Sequence, residues 1–136
     1  MYEKIIVAID TGQIDKGERI LRRATLLAAA GGVVVLVNVV EDVPAYISIA
    51  DPVDLTVAAR RDADAKLLDL CERIGINAII EIRQGPAARE ILASAEDNNA
   101  DLIMIASHLP DVSNYFIGAT ADRIVRHAKC SVLIDR

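Results

Sequence analysis

The chain has 136 residues and a formal charge of −5, with 53% of its residues hydrophobic but only 3% aromatic and no Trp. That length serves one domain able to bury a core without metals or disulfide staples, and the acidic balance excludes a protein whose main business is polyanion binding, which rests on clustered Lys and Arg. The core must be filled by Val, Ile, Leu and Ala, as in a parallel sheet covered on both faces, and an aromatic base-stacking platform is not expected.

The N-terminal Met1 to Lys4 leads into an apolar run of five residues, Ile5 to Ile9, too short for a signal-peptide core. No stretch approaches the length of a membrane span. A cytoplasmic protein with neither membrane nor nucleic acid as partner is expected. Cys71 and Cys130 have neither CxxC spacing nor a neighbouring His pair, and read as two buried thiols in a reducing compartment.

Lys4 to Asp10 (KIIVAID) is an apolar run closed by polar residues, the pattern of a buried first strand. Asp15 and Glu18 form a capping-box pattern, and Ile20, Leu21, Ala24, Leu27 and Ala28 recur at helical spacing, so a first helix is expected to run to a stop at Gly31-Gly32. Gly32 to Val40 is almost continuously β-branched and predicts a central strand. After Glu41-Asp42 comes a segment with Tyr46, Ile47 and Ile49, read as a flap carried on a loop. Asp51-Pro52 supplies a cap and first-turn proline for a second helix ending near Ile74-Gly75.

Asn77 to Arg83 predicts a third strand, Gly85-Pro86 the start of a third helix with Ala88, Ile91, Leu92 and Ala95 on one side, and Leu102 to Ser107 a fourth strand. A helix from Gly118 to His127 and a strand from Ser131 to Asp135 complete the pattern. His127 reads as a structural group at a helix C-terminus, and Arg22-Arg23 and Arg60-Arg61 as solvated basic pairs. Strict alternation implies right-handed crossovers and a parallel sheet, whose ligands bind beyond the carboxyl ends of the strands. That places candidate functional residues at Asp10-Thr11, Val39 to Glu41, Arg83-Gln84 and Ser107-His108.

The segments VAID (7–10), GPAAREIL (85–92) and DLIMIASHLPDVSNYFIGATADRIVRHAKCSVLIDR (101–136), in that order, resemble the universal stress protein family over essentially the whole chain. The resemblance implies an α/β fold with an open five-stranded parallel sheet of order 3-2-1-4-5, helices on both faces, and an adenine nucleotide between the first and fourth strands. It implies ATP, or ADP or AMP, as ligand with magnesium, a homodimer formed through the C-terminal strand, and a regulatory protein partner in a stress response. Matched position by position, Asp10 meets the ribose or the phosphate-bound magnesium, Ala8 and Ile9 border the base, and Val39 contacts adenine through its backbone. Ser107, His108 and Leu109 form the start of the phosphate loop, while Gly118, Ala119 and Thr120 open the last helix, where free N–H groups accept phosphate oxygens.

Nucleotide-binding members carry Gly-x-x-Gly, a spacer of about nine residues, then Gly with Ser or Thr. Here Ala106 and Leu109 stand at the leading glycines, eight residues separate Leu109 from Gly118, and Ala119 replaces the hydroxyl. Ser107, Ser113 and Thr120 remain as hydroxyl donors. The alternative is therefore a nucleotide-independent dimeric interaction module. Slow ATP hydrolysis or self-phosphorylation is implied by the resemblance alone, since no general base stands near a defined phosphate. A phosphoacceptor receiver domain needs an aspartate after the third strand, where Arg83-Gln84 stands, and an adenylating enzyme needs a richer glycine loop than Thr11-Gly12-Gln13.

Overall fold

The computed structural model describes residues 1–42, 52–107 and 118–136. The expected flap residues Tyr46, Ile47 and Ile49, the cap Asp51, and His108, Leu109 and Ser113 lie outside the described residues. In chain order the elements are β1 (Tyr2–Ala8), a 3-10 turn (Thr11–Gln13), α1 (Ile14–Leu27), β2 (Ala28–Val40), α2 (Pro52–Ile74), β3 (Ile79–Gln84), α3 (Ala87–Asp97), β4 (Leu102–Ala106), α4 (Ala119–His127) and β5 (Ser131–Asp135). The strands form one five-stranded sheet of order β3-β2-β1-β4-β5, and every neighbouring pair is parallel. This is the expected order and the expected doubly wound arrangement.

The two-residue period of a strand sends alternate side chains to opposite faces, and here both faces are dry. Ile5, Val7 and Ile9, with Leu36, Leu102 and Met104, pack under Ile20, Leu21 and Ala24 of α1 and Leu67, Leu70 and Cys71 of α2. Ile6, Val35, Val37, Ile103 and Ile105 pack under Ala88, Ile91 and Ala95 of α3 and Ala121 and Ile124 of α4. Among the described residues no helix is long and apolar enough to cross a membrane.

Four local expectations are corrected. β1 begins at Tyr2 and ends at Ala8, because Asp10 turns the chain by capping the 3-10 turn. That turn displaces the expected capping box: α1 starts at Ile14 behind Gln13, and Asp15 lies inside its first turn. The helix stops at Leu27 and not at Gly31-Gly32, since Ala28 is already extended at φ −70°, ψ 136°. The two glycines lie inside β2, where pairing jumps from Tyr2–Ala28 to Lys4–Val33. Gly31 takes φ +77°, and a Cβ on Gly32 would lie 2.8 Å from the Ala29 carbonyl oxygen and 3.1 Å from that of Tyr2, so the pair forms a bulge that only glycine fits.

The basic pairs are also corrected. Arg22 is exposed and bonds Glu18, but Arg23 reaches the buried Asp135 and Arg60 donates to the Ile82 carbonyl at 2.9 Å. Cys71 is buried as expected, whereas Cys130 is only half-buried; burial raises both thiols above their ordinary range.

Candidate functional site

The carboxyl ends of β1, β2 and β4 and the first residues of α1 and α4 enclose a cleft of about 490 Å³, a size typical of small-molecule sites. It opens where the winding reverses, since β1 sits between β2 on one side and β4 on the other. Ala8, Ile9, Val37, Val39, Ile91 and Ile105 supply an apolar floor, while Asp10, Gln13, Lys16, Asn38, Glu41 and Thr120 add polar groups.

Local sequence fixes these polar groups. Asp10 follows the buried Ile9 just beyond the end of β1, and its Oδ1 accepts from the Gly12 N–H at 2.8 Å, an Asx-type cap that orients the carboxylate at the cleft. Asn38, nearly buried, donates through Nδ2 to the Ile9 carbonyl at 2.9 Å and so ties the ends of β2 and β1 together. Lys16, two turns beyond Asp10, donates through Nζ to the Ser107 carbonyl at 3.3 Å. Oε1 of Gln13 is buried with no hydrogen-bond partner among the described residues.

On the far side, α4 opens at Gly118 with φ 91° and ψ 152°. That region is essentially closed to side-chain-bearing residues, so this position calls for glycine. Ala119 is the first residue of the helix and Thr120 enters the cleft wall. Ser107 is buried, and its N–H donates to the Asp135 carbonyl at 2.8 Å.

Of the predicted site residues, Ala8, Ile9, Asp10, Val39 and Thr120 line one cleft. Thr11, Ser107 and Ala119 are chain neighbours of lining residues and Gly118 lies two positions from Thr120, but none of the four lines the cleft itself. His108 and Leu109 lie outside the described residues. Arg83 and Gln84 do not line it either: Arg83 pairs with Glu81 at 2.7 Å and Glu90 at 3.1 Å, and Gln84 donates to Asp42 at 2.6 Å. Sequence reasoning missed Gln13, Lys16 and Asn38. The first two stand three residues apart at the start of α1 and so share a helix face, a spacing that can be counted from Asp10 in the sequence. Asn38 is a lone polar residue in a β-branched run, which is itself a signal of a buried hydrogen bond.

The order of strands, the two-faced core and the cleft at the reversal of winding define a doubly wound α/β protein with a ligand-sized site beyond the strand ends. The chain belongs to the universal stress protein family, whose model matches residues 1–136. It is 27% identical over 143 residues to universal stress protein G of Shigella flexneri and of Escherichia coli O157:H7, covering 100% of both chains in each case. Universal stress protein A homolog 2 of Coxiella burnetii is 26% identical over 99% of this chain and 95% of its own. Among solved structures, a universal stress protein in complex with cAMP superposes with TM-score 0.66 at 22% identity, over 99% of this chain and 97% of that one. UspA from Lactobacillus plantarum does so with TM-score 0.64 at 21% identity, over 99% and 98%.

Proposed function

We propose that this protein binds an adenine nucleotide, ATP in the first instance, in the cleft beyond β1, β2 and β4 and acts as a dimeric regulator in a stress response. The observation that carries the reading is the composition of the cleft: an apolar floor, Val39 near the end of β2, Asp10 held at its edge and the N-terminus of α4 on the far wall. Gln13 lines the same cleft and brings an amide of the kind that pairs with a base edge. A related fold has been solved with cAMP, which shares the adenosine moiety.

Asp10, which lines the cleft together with Glu41, is suited to the ribose hydroxyls or to magnesium, an ion ordinarily held by one or two carboxylates together with substrate phosphates. Dimerisation through β5 is supported by its place at the edge of the sheet, where Val132, Leu133 and Ile134 are only half-buried and an open edge invites pairing with a second copy. A regulatory partner would read the nucleotide state of that dimer.

The test is calorimetric titration of nucleotide-stripped protein with ATP, ADP and AMP, with and without magnesium, alongside sedimentation to measure its oligomeric state. Saturable binding that Asp10→Ala removes supports the reading. No heat and no shift in melting temperature would replace it with a nucleotide-independent interaction module.

A further inference from the structure

Resting on that nucleotide reading, we infer that Lys16 is the phosphate-recognising cation of this chain, so that charge recognition has moved from a glycine loop to the first turns of α1. Among the described residues that line the cleft, Lys16 is the single cation, set against the carboxylates Asp10 and Glu41. With those two acids alone the cleft would repel a polyphosphate, and like charge in a partly enclosed, low-dielectric site is costly. The nearby ammonium offsets one of them and supplies three donors.

Its position fits that role. Nζ lies 3.3 Å from the Ser107 carbonyl, at the point where the chain leaves β4, while Thr120, in the first turn of α4, lines the same cleft. Ser107 is held in place by its N–H bond to Asp135, so Lys16 has a fixed anchor from which a stronger anionic acceptor can draw it. A bond from an ammonium to a neutral carbonyl is weaker than one to a phosphate oxygen, and the exchange therefore favours ligand. The residues that would otherwise do this work are altered, with Ala106 and Leu109 at glycine positions and Ala119 at the hydroxyl position.

The experiment compares ATP with adenosine on stripped wild-type, Lys16→Gln and Lys16→Arg proteins by calorimetry. Adenosine reports the base and ribose subsites, and the ATP to adenosine affinity ratio reports the phosphate subsite. Lys16→Gln is expected to weaken ATP by roughly tenfold or more, the scale of one charge-assisted hydrogen bond, with adenosine unchanged and with Lys16→Arg keeping most of the preference. Equal losses for both ligands, or no loss for ATP, would overturn the role of Lys16 while leaving the nucleotide reading intact. Wild-type protein that binds neither ligand would overturn both. Should Lys16→Gln fail to fold, salt decides: wild-type affinity for ATP must fall with rising ionic strength while that for adenosine stays flat, and parallel responses would sink the inference.

Discussion

Gly17 and Ile9 meet across the α1–β1 interface so closely that a Cβ on Gly17 would lie 2.8 Å from Cγ2 of Ile9. Ile9 is 4% exposed, and its Cγ2 sits on a stiff β-branched carbon, so the contact cannot be relieved by swinging a flexible tip. The same Ile9 lines the cleft, which makes this glycine a spacer for the site. Gly17→Ala gains about 1 kcal/mol of helix propensity but overpacks the interface by about 1–3 kcal/mol. The expected result is a net loss of about 1 kcal/mol in urea unfolding. Combined with Ile9→Ala, the two changes should cost less than their sum; strict additivity would show that the contact is not the cause.

Asp135 makes an asymmetric ion cluster. Its carboxylate is 1% exposed and binds both Arg19, at 3.1 Å, and Arg23, whose own side chains are about half-exposed. Removing the carboxylate lets the two guanidinium groups rehydrate, whereas removing both arginines strands a buried charge. Asp135→Ala should therefore cost about 1–3 kcal/mol and the double change Arg19→Ala with Arg23→Ala about 3–5 kcal/mol, as read from denaturant midpoints. The opposite ranking would mean that the arginines are dispensable to Asp135.

Gly118 opens α4 at a backbone conformation that an L side chain rarely adopts, φ 91° with ψ 152°. Gly118→Ala should lose about 1–3 kcal/mol or re-route the first turn of the helix. Either outcome should also weaken ATP binding, because the cleft residue Thr120 lies two positions on, in the first turn of the helix. Wild-type stability together with wild-type ATP affinity would refute a required positive φ.

Acid should loosen the sheet at two carboxylates. Burial pushes Glu81 up, but hydrogen bonds from Arg83, Asn98 and Ser94 outweigh it and hold its carboxyl below the ordinary range. Asp101 is held low by the N–H groups of Glu3 and Lys4, each 2.9 Å away. A depressed folded-state value stabilises the protein above the unfolded carboxylate range, and that contribution disappears as pH falls through it toward the folded value. Melting temperature should thus fall on acidification below about pH 5, and the double variant Glu81→Gln with Asp101→Asn should show a shallower acid limb. An unchanged limb would locate acid sensitivity elsewhere.

Much of this was legible from residue pattern. β5 was placed residue for residue, and the β-branched run to Val40 gave the strand that lies between β1 and β3, because buried parallel strands leave continuous apolar runs. The failures share a cause. Gly31-Gly32 is a strong local stop signal, yet pairing with β1 carries β2 through it, and a tertiary contact is invisible to a local rule. Arg23 reads as a solvated cation until Asp135, remote in sequence, is folded beneath it. Asp10 was legible in the site because a strand end points there by topology alone, whereas Lys16 becomes a site residue only when a 3-10 turn sets the phase of α1.

The cleft lies over the β1–β4 junction, where Ile5 pairs with Leu102 and Ala8 with Ile105. Its two walls thus come from opposite ends of the chain, and no early fragment can contain it. During synthesis, β1 and β2 leave the ribosome with one flank of β1 unpaired, a row of backbone donors and acceptors exposed until β4 arrives. The ligand site and the protection of that flank are completed together when β4 docks, so a ligand that binds the cleft also fastens the seam between β1 and β4.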